Sequence, residues 1–554
     1  MRVLPSLLAA AALVAAGQEP YTCPGLSVGL SSTGPGGEEY DRKPFINGGK
    51  TFVGGVITPF GGEIIPVTSP IVDSTTNERT VIGSMAQMDQ GDALQALAAA
   101  KRAWDNGQGE WPQISAKERI AALERLVASL KTRRAEIVQV LMWEIAKTTA
   151  DAAAEFDRTM IFIEATLEAY RDSDRLSTWR VVQGVLARVR RAAIGIVLCL
   201  GPSNYPINET YTTLIPALLS GNVVILKLPT LGGLAHIITM EAYQQHLPAG
   251  TINFISGSGR VTMSPLMKTG SIDALAFIGG SAAADAIIKD HPHPHRLKLF
   301  LQLEGKNLGI VLPDANLDTA VEQIALGATT YNGQRCTAIK LVLLHESLAP
   351  AFLEKFVAKI GSLKAGLPWE AGVLITPLPE LRRPAYLQEL LADAVSKGAK
   401  VVNEEHGGGS QGGALMVPAV VFPVTSKMRL WSEEQFGPVI PIGVYKDIQE
   451  VHSYLSTTHC GQQAAVFTSN SASAGPLVDV LSTAVGRINI NTQCARSPDT
   501  FPFSGRRSSA LGTMSITEGL NTFSIETVVA TKDGGDNAAI ARGLEETSRF
   551  LGPL

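Results

Sequence analysis

The sequence has little of what marks membrane, nucleic-acid-binding or disulfide-rich proteins. It contains only five cysteines in 554 residues, and this odd number in a long chain predicts no disulfide framework. The cysteines form no CxxC or zinc-finger spacing, and we predict no metal site. No apolar run approaches the roughly 20 residues that a membrane helix needs. The net charge is −4, and without a basic block nucleic acid is excluded as the main partner.

What is present is the composition of a large folded protein. Hydrophobic residues make up 45% of the chain and charged residues 18%, which is too apolar for a disordered protein. At roughly 150 residues per domain, the length predicts three to four structural units. We therefore expect a soluble globular protein with more than one hydrophobic core.

The N-terminus has the pattern of a targeting segment. Arg2 is followed by an apolar run over residues 4–16 and by the small residues Ala15, Ala16 and Gly17. This pattern predicts a secretory signal peptide over residues 1–17. Residues 18–42, rich in Pro and Gly, are expected to form a linker. The alternative is a buried N-terminal helix.

The remaining chain alternates helical and strand patterns. Ser115 and Glu118 form a capping box at the start of one helix, and a second helix is predicted over residues 210–219. Short β-branched runs predict strands in two series, which cover residues 194–200, 222–227, 251–255 and 275–278, then 308–312, 339–344, 419–422, 439–445, 464–468 and 487–491. Strands alternating with helices predict two doubly wound α/β domains with parallel sheets.

Two further segments alternate apolar and polar residues outside this pattern. They cover residues 180–191 and 522–530. Such two-sided ribbons often become edge strands or an oligomer interface.

Glycine turns after predicted strands suggest a site for a diphosphate. Gly279 and Gly280 separate the strand at 275–278 from a small-residue helical run, and Gly257 lies in a similar turn after the preceding strand. A strand, a glycine turn and a helix N-terminus together can hold a diphosphate. Each turn could equally serve the chain topology alone.

Lys227 closes another predicted strand. Ligands bind at this edge of open α/β sheets, where the ammonium group would favour a phosphate or a ribose hydroxyl. Three residues later, Thr230 offers a neutral donor where a carboxylate would repel a 2′-phosphate. An exposed turn lysine is the alternative.

Cys336 is the cysteine with the most reactive setting. It lies in the segment Asn-Gly-Gln-Arg-Cys-Thr at 332–337. The adjacent Arg335 is expected to favour the thiolate, which is the nucleophilic form. A buried structural cysteine is the competing interpretation.

These segments together resemble the aldehyde dehydrogenase superfamily. The matching motifs, in order, are GPSNYP at 201–206, KxxT at 227–230, FxG at 277–279, GQxC at 333–336 and EEQFGP at 433–438. The resemblance runs from about residue 43 to about residue 532. It implies a cofactor-binding domain at 43–179 and 194–303, a catalytic domain at 304–510, and oligomerisation strands at 180–193 and 515–532.

The resemblance also implies roles for single residues. Cys336 would be the nucleophile, and the Asn204 amide would stabilise the oxyanion. Lys227, Glu434 and Phe436 would hold the ribose and nicotinamide parts of the cofactor. Because Thr230 replaces an acidic residue of NAD-specific members, NADP is favoured, with NAD possible.

Within the superfamily, the chain most resembles the non-phosphorylating, NADP-dependent glyceraldehyde-3-phosphate dehydrogenases. Those enzymes bind the substrate phosphate with arginines and a tyrosine, and the matching residues here are Arg158, Tyr205, Arg335 and Arg496. Guanidinium groups suit a phosphate because they bind its oxygens bidentately. The alternative is that each arginine makes a surface ion pair.

One position departs from the family pattern. The general base of the family is a Glu that lies 34 residues before the nucleophile; here 336 − 34 = 302, and this position holds Gln302. An amide cannot accept the proton of the attacking water. Glu304 would point to the same face of a strand, displaced by roughly 6–7 Å, and is predicted to act as the substitute base. The alternatives are slow hydrolysis or transfer of the acyl group to a thiol such as coenzyme A.

The leading prediction is oxidation of D-glyceraldehyde 3-phosphate to 3-phosphoglycerate with NADP as oxidant. The alternatives are a semialdehyde substrate and a catalytically silent NADP-binding protein. The family implies a homodimer or homotetramer. Because a signal peptide and a sugar-phosphate substrate point to different compartments, a plastid reached through the secretory pathway is the predicted location, with the cytoplasm as alternative.

Overall fold

The computed structural model describes residues 27–28, 42–73 and 76–554. The predicted signal peptide at 1–17 lies outside the described residues, as does most of the predicted linker at 18–42. Within that linker, Ser27–Val28 pairs in parallel with the end of the strand Ile64–Asp73. Ile64–Asp73 also pairs with Arg79–Ala86, which in turn pairs with Ile46–Gly48, and the four strands form one sheet. Lys50–Val53 and Val56–Pro59 form a hairpin beside it.

The first doubly wound sheet has the strand order of a dinucleotide-binding domain. Five parallel strands lie in the spatial order 3-2-1-4-5, which runs Ile252–Ile255, Val223–Lys227, Ile196–Leu200, Ala274–Ile278 and Lys298–Gln302. All four strands predicted here are confirmed to within two residues. The order reverses between Ile196–Leu200 and Ala274–Ile278, and this is the switch point where open α/β sheets bind ligands.

The fifth strand, Lys298–Gln302, was not predicted. It pairs in parallel with Ala274–Ile278 on one side and antiparallel with Ala510–Leu511 on the other. The chain therefore returns to the first sheet at the predicted end of the catalytic domain.

The second sheet has seven strands and contains all six predicted strands of the second series. Its order is Lys400–Val401, Ala419–Phe422, Val439–Tyr445, Ile339–His345, Asn307–Val311, Gln463–Phe467 and Arg487–Ile490. Only the first of these pairs antiparallel. Two doubly wound domains in tandem are thus confirmed.

A three-stranded antiparallel sheet stands apart from both domains. It consists of Arg180–Val182, Val185–Ala193 and Ser524–Lys532, so the predicted ribbons exist. The prediction of a strand from residue 515 is wrong over its first part, because Ile516–Thr522 is a helix. The hydroxyl of Ser515 accepts a hydrogen bond from the backbone N–H of Glu518 and starts this helix.

Helices cover both sheets. They span Gln90–Trp104, Glu110–Gln113, Ala116–Thr132, Arg134–Ile145, Thr149–Leu176, Asn208–Leu219, Leu234–His246, Gly259–Lys268, Ser281–Lys289, Leu317–Thr329, Ala349–Gly361, Arg383–Ser396, Arg429–Ser432, Ile448–Thr457, Ser471–Ala484, Ile516–Thr522 and Gly535–Thr547. The capping box of Ser115 and Glu118 is confirmed. In the described part of the chain, no helix is long and apolar enough to cross a membrane.

One fully buried helix follows the central strand of the first sheet. Asn208–Leu219 begins eight residues after the strand Ile196–Leu200, and all twelve of its residues are buried. Full burial of a side chain such as Leu214 contributes roughly 1.5–3 kcal/mol, so this helix is a fixed support. Its N-terminal turn faces the second domain.

Candidate active site

The site forms where the loop after Ile196–Leu200 meets the loop that carries Cys336. The side-chain amide of Asn204 donates a hydrogen bond of 2.8 Å to the carbonyl oxygen of Gln334. The structure therefore brings together two motifs that are 130 residues apart in the sequence.

The loop before Cys336 is held in an uncommon conformation. Tyr331, Asn332 and Gly333 have φ angles of +50°, +55° and +71°, and left-handed geometry costs non-glycine residues about 1–3 kcal/mol each. Asn332 compensates because its amide donates to Thr376 and accepts from the Thr376 backbone N–H at 2.9 Å. The Tyr331 hydroxyl donates to the carbonyl of Ile145 at 2.8 Å. These contacts fix the approach to the nucleophile.

The backbone of Cys336 is fixed as well. Its carbonyl oxygen accepts hydrogen bonds from the Asn307 side chain at 2.6 Å and from Lys340 Nζ at 2.9 Å. Lys340 Nζ also lies 2.9 Å from Glu434 Oε1, which accepts a further bond from the Gly305 N–H at 3.1 Å. Glu434 is thereby tied to the nucleophile through one buried lysine.

The Cys336 thiol faces Glu209. Its Sγ lies 3.8 Å from Glu209 Oε1. Burial, and next the Glu209 charge, raise the pKa of Cys336 to about 12. The prediction that Arg335 favours the Cys336 thiolate is therefore wrong. The Arg335 guanidinium instead donates to the Gly327 carbonyl at 3.1 Å and to Gln493 at 3.2 Å.

Gln302 ends its strand in a buried position. It is 3% exposed, and neither atom of its amide group has a hydrogen-bond partner among the described residues. A buried amide without partners costs about 1–3 kcal/mol, so this position is not optimised for stability.

Glu304 does not take the place of the missing base. The strand ends at Gln302, so the same-face argument does not extend to residue 304. The Glu304 carboxylate accepts hydrogen bonds from the Ser281 N–H at 2.7 Å and from the Ser281 hydroxyl. It therefore occupies the N-terminus of the helix Ser281–Lys289, and the structure corrects its assignment as substitute base.

Two of the predicted phosphate-binding arginines share one carboxylate. Arg158 binds Asp499 through two hydrogen bonds of 2.9 and 2.6 Å, and Arg496 Nε donates to the same residue at 3.1 Å. Arg496 also lies 3.7 Å from Glu209. Burial lowers the pKa of Arg158, but the hydrogen bonds and the charge of Asp499 raise it by more, so that the pKa is raised overall. Arg158 and Arg496 thus converge next to the carboxylate that faces Cys336.

The partly buried Tyr205 packs over a lysine that sequence reasoning missed. Lys147 Nζ lies 3.3 Å from the centre of the Tyr205 ring and pairs with Glu155. Glu155 in turn accepts the backbone N–H groups of Ile207 and Asn208 at 3.0 and 3.1 Å. Burial raises the pKa of Tyr205, and the positive charge of Arg335 acts against this rise. Tyr205 and Arg335, two of the predicted phosphate ligands, are therefore close enough to interact.

A cavity of about 1200 Å³ opens at the carboxyl ends of the strands of the first sheet. Thr230, Gly257 and Arg260 line it, together with the helix that starts at Ser281. Gly257 has a φ of +84°, and a Cβ there would lie 2.9 Å from the Met88 backbone. The cavity is large enough for a cofactor. Its lining contains three arginines and two carboxylates, and position 230 holds a neutral threonine.

The other predicted cofactor residues lie around this cavity and the nucleophile. Lys227 is buried at the end of its strand, and burial lowers its pKa to about 8. Gly280 is the N-cap of the helix Ser281–Lys289, directly after Gly279. Phe436 lies with its ring centre 5.9 Å from Lys340 Nζ. These residues fit a bound dinucleotide, except that Glu304 occupies the anion-binding end of that helix. Within the described ranges, no three His, Cys, Asp or Glu side chains are grouped as a metal site.

Glu209 is the main site residue that sequence reasoning missed. It is the second residue of a helix that otherwise contains no charged side chain. A carboxylate in such a buried helix, five residues after Asn204, was the available signal.

Comparisons with known proteins agree with this geometry. The model of the aldehyde dehydrogenase family matches residues 63–529. The NADP-dependent glyceraldehyde-3-phosphate dehydrogenase of Streptococcus equinus is 35% identical over 461 residues, which are 81% of this chain and 92% of that protein. The enzyme of the same name from Nicotiana plumbaginifolia is 32% identical, over 78% of this chain and 86% of its own.

A solved structure is similar over most of the chain. It is the NADP-dependent glyceraldehyde-3-phosphate dehydrogenase of Bacillus halodurans C-125, complexed with NADP. The TM-score is 0.79 at 31% identity, and the match covers 87% of this chain and 99% of that one.

Proposed function

This chain belongs to the aldehyde dehydrogenase family, and on that basis we propose that it oxidises D-glyceraldehyde 3-phosphate to 3-phosphoglycerate with NADP⁺ as oxidant. The observation that carries the proposal is the convergence of Arg158 and Arg496 beside the Cys336 thiol. A guanidinium pair at this point would bind an anionic substrate.

The chain supplies the groups for a thioester mechanism. The Cys336 sulfur attacks the aldehyde carbon, and the Asn204 amide and the Cys336 backbone N–H stabilise the oxyanion. The NADP⁺ that Lys227 and Thr230 would hold supplies the hydride acceptor when it is bound, and the Cys336 sulfur would then carry the acyl group as a thioester. Asn307 and Lys340 hold the Cys336 backbone during these steps, because both bind its carbonyl oxygen.

Thr230 and Arg260 support NADP⁺ as the cofactor. Both line the large cavity, where a neutral side chain and a cation suit a 2′-phosphate. The relatives named for NADP point the same way. NAD⁺ remains a possible second cofactor.

The phosphate part of the proposal is tested at Arg158. We expect Arg158→Gln to raise the KM for glyceraldehyde 3-phosphate about tenfold to a hundredfold, because one charged hydrogen-bonding group contributes about 1.5–3 kcal/mol. The KM for glyceraldehyde, which lacks the phosphate, should change little. NADPH absorbance in steady-state assays of the full chain measures both.

Arg171→Gln is the matched control, since Arg171 pairs with Glu124 and Glu168 on the surface. If Arg158→Gln changes both KM values equally, the phosphate assignment fails and a semialdehyde becomes the better substrate. Gln302 favours one further candidate, transfer of the acyl group to coenzyme A. Stimulation of NADPH formation by coenzyme A would support that candidate.

We also propose that the three-stranded sheet forms the interface of a homodimer or homotetramer. Val182, Val185, Val189, Ile525 and Val528 are large apolar residues exposed on it, and such patches mark interaction surfaces. Light scattering of the purified chain tests this, and a monomer would contradict it.

For residues 1–42, the proposal is a signal that directs the protein into the secretory pathway and on to a plastid. Its support is the sequence pattern alone. A fluorescent fusion of residues 1–42 that stays in the cytosol would contradict it.

A further inference from the structure

We propose that Glu209 is the general base that hydrolyses the thioester on Cys336, in place of the glutamate that Gln302 replaces. The inference rests on the proposed function for its thioester intermediate. It assigns the deacylation step to a residue on a different element from Gln302.

The geometry around the thiol favours Glu209. Its carboxylate lies 3.8 Å from Cys336 Sγ, so a water between it and a thioester carbonyl carbon would be within reach of Oε1. Glu434 is the other carboxylate whose charge acts on the thiol. Its Oε1 binds both Lys340 and the Gly305 N–H, and this oxygen therefore supports the backbone of the nucleophile.

The remaining candidates are excluded by chemistry or by contacts. Gln302 has no basic atom. Glu304 binds both the N–H and the hydroxyl of Ser281. Glu155 pairs with Lys147 and caps two backbone N–H groups. Among these carboxylates, Glu209 is the one that lies next to the Cys336 thiol. Its ion-pair partner Arg496 is 3.7 Å away, which is farther than a direct hydrogen bond.

The electrostatic setting makes the Glu209 carboxylate more basic than one in water. Burial raises the pKa of Glu209, and Glu155 raises it further, whereas Arg496, Arg158 and Lys147 oppose this effect. Cys336 and Tyr205 are further titratable groups that interact with Glu209. A carboxylate with a raised pKa accepts a proton more readily than one in water.

The step is balanced with water as the co-reactant. The water oxygen adds to the thioester carbonyl carbon, and its proton passes to a Glu209 oxygen. The carbon–sulfur bond then breaks, and the sulfur leaves with the electron pair and takes the proton from Glu209. Thioester and water are consumed, and the carboxylic acid and the free thiol are formed.

The test uses para-nitrophenyl acetate on the full chain, because this ester acylates a reactive cysteine without cofactor or aldehyde. Wild-type protein should release nitrophenol in a burst and then in a steady phase limited by deacylation. We expect Glu209→Gln to keep the burst and to slow the steady phase by about 10²–10⁴-fold. Intact mass spectrometry should then find acetate retained on Cys336.

Two further variants separate a base from a structural role. Glu209→Ala should regain hydrolysis when formate is added, since the small carboxylate can enter the space left by the side chain. The double variant Glu209→Gln with Gln302→Glu should regain part of the hydrolysis, because it restores a carboxylate at the family position. Glu241→Gln, at an exposed site paired with Arg133, is the matched control, and thermal unfolding checks each fold.

The pH profile is an independent readout. Below the pKa of Glu209 the base is protonated, so the steady phase should fall about tenfold per pH unit on the acid side. Because that pKa is raised, the fall should begin above the ordinary glutamate range, near 4.3 to about 4.5 in water. In the double variant, the acid side of this pH profile should lie at a different pH, because a different carboxylate is then the base.

An unchanged steady phase in folded Glu209→Gln would overturn the proposal. So would a loss of the burst that matches the loss of the steady phase, because that pattern belongs to a damaged nucleophile. If the ester results hold but glyceraldehyde 3-phosphate yields no NADPH, the proposed substrate fails and the assignment of Glu209 stands.

Discussion

Replacement of Cys336 by alanine is expected to lower NADPH formation by more than about ten-thousand-fold, while dinucleotide binding stays within a factor of about two. Removal of a nucleophile eliminates the covalent pathway, and only weak catalysis by the remaining groups survives. Asn204, Asn307 and Lys340 remain in place, so the fold of the site is preserved. Steady-state NADPH absorbance and a fluorescence titration with NADP⁺ measure the two quantities.

Cys494→Ala is the matched control for this variant. Cys494 is a fully buried free thiol, and burial raises its pKa to about 12, as it does for the partly buried Cys336. Its replacement should leave turnover unchanged. Equal losses in the two variants would show that the effect arises from packing, and the assignment of Cys336 as nucleophile would then be abandoned.

The fold was predictable where strands are buried on both faces. Val223–Lys227 and Ile196–Leu200 are buried along their whole length, and such strands consist of continuous β-branched and aliphatic runs. Lys298–Gln302 was missed because it begins with a lysine and ends with a glutamine. Ile516–Thr522 was taken for a strand because a helix of seven residues is too short to show its period.

The site was predictable where its residues lie inside the sequence motifs themselves. The motifs with Asn204 and Cys336 do meet, as the resemblance implied. They do so across two sheets, because Asn204 follows Ile196–Leu200 of the first sheet and Cys336 precedes Ile339–His345 of the second. The contacts of Arg335 and Arg158 were not predictable. They depend on Gln493 and Asp499, which are 158 and 341 residues away in the sequence. Charge signs in a sequence do not reveal such pairing.

Glu304 is the clearest case of a residue whose role depends on tertiary contacts. As a sequence feature it is the nearest carboxylate to Gln302. In the structure it caps the helix Ser281–Lys289, whose N-terminus carries partial positive charge. Because a dinucleotide diphosphate would use the same backbone N–H groups, the carboxylate and the diphosphate compete for this helix end.

Glu304→Ala is therefore expected to tighten NADP⁺ binding by about a hundredfold. Two unit charges about 4 Å apart repel by about 4 kcal/mol at an effective dielectric constant of 20. This is about a thousandfold in affinity, and the partial exposure of Glu304 reduces it. Loss of the cap should lower the stability of the free protein by about 1 kcal/mol. The Kd from fluorescence titration and the Tm without NADP⁺ should therefore both fall.

Two related variants make this prediction decisive. Glu304→Gln removes the charge but keeps the length of the side chain, so its Kd should lie between those of wild type and Glu304→Ala. Glu346→Ala, at a surface carboxylate that lies 3.4 Å from Lys446, should leave the Kd unchanged. If Glu304→Ala binds NADP⁺ like wild type but retains acetate on Cys336 in the ester assay, Glu304 is the base after all, and the assignment of Glu209 falls with it. Tighter binding with normal hydrolysis would mean that the departures at positions 302 and 304 act at two separate sites, one on deacylation and one on the affinity for the cofactor.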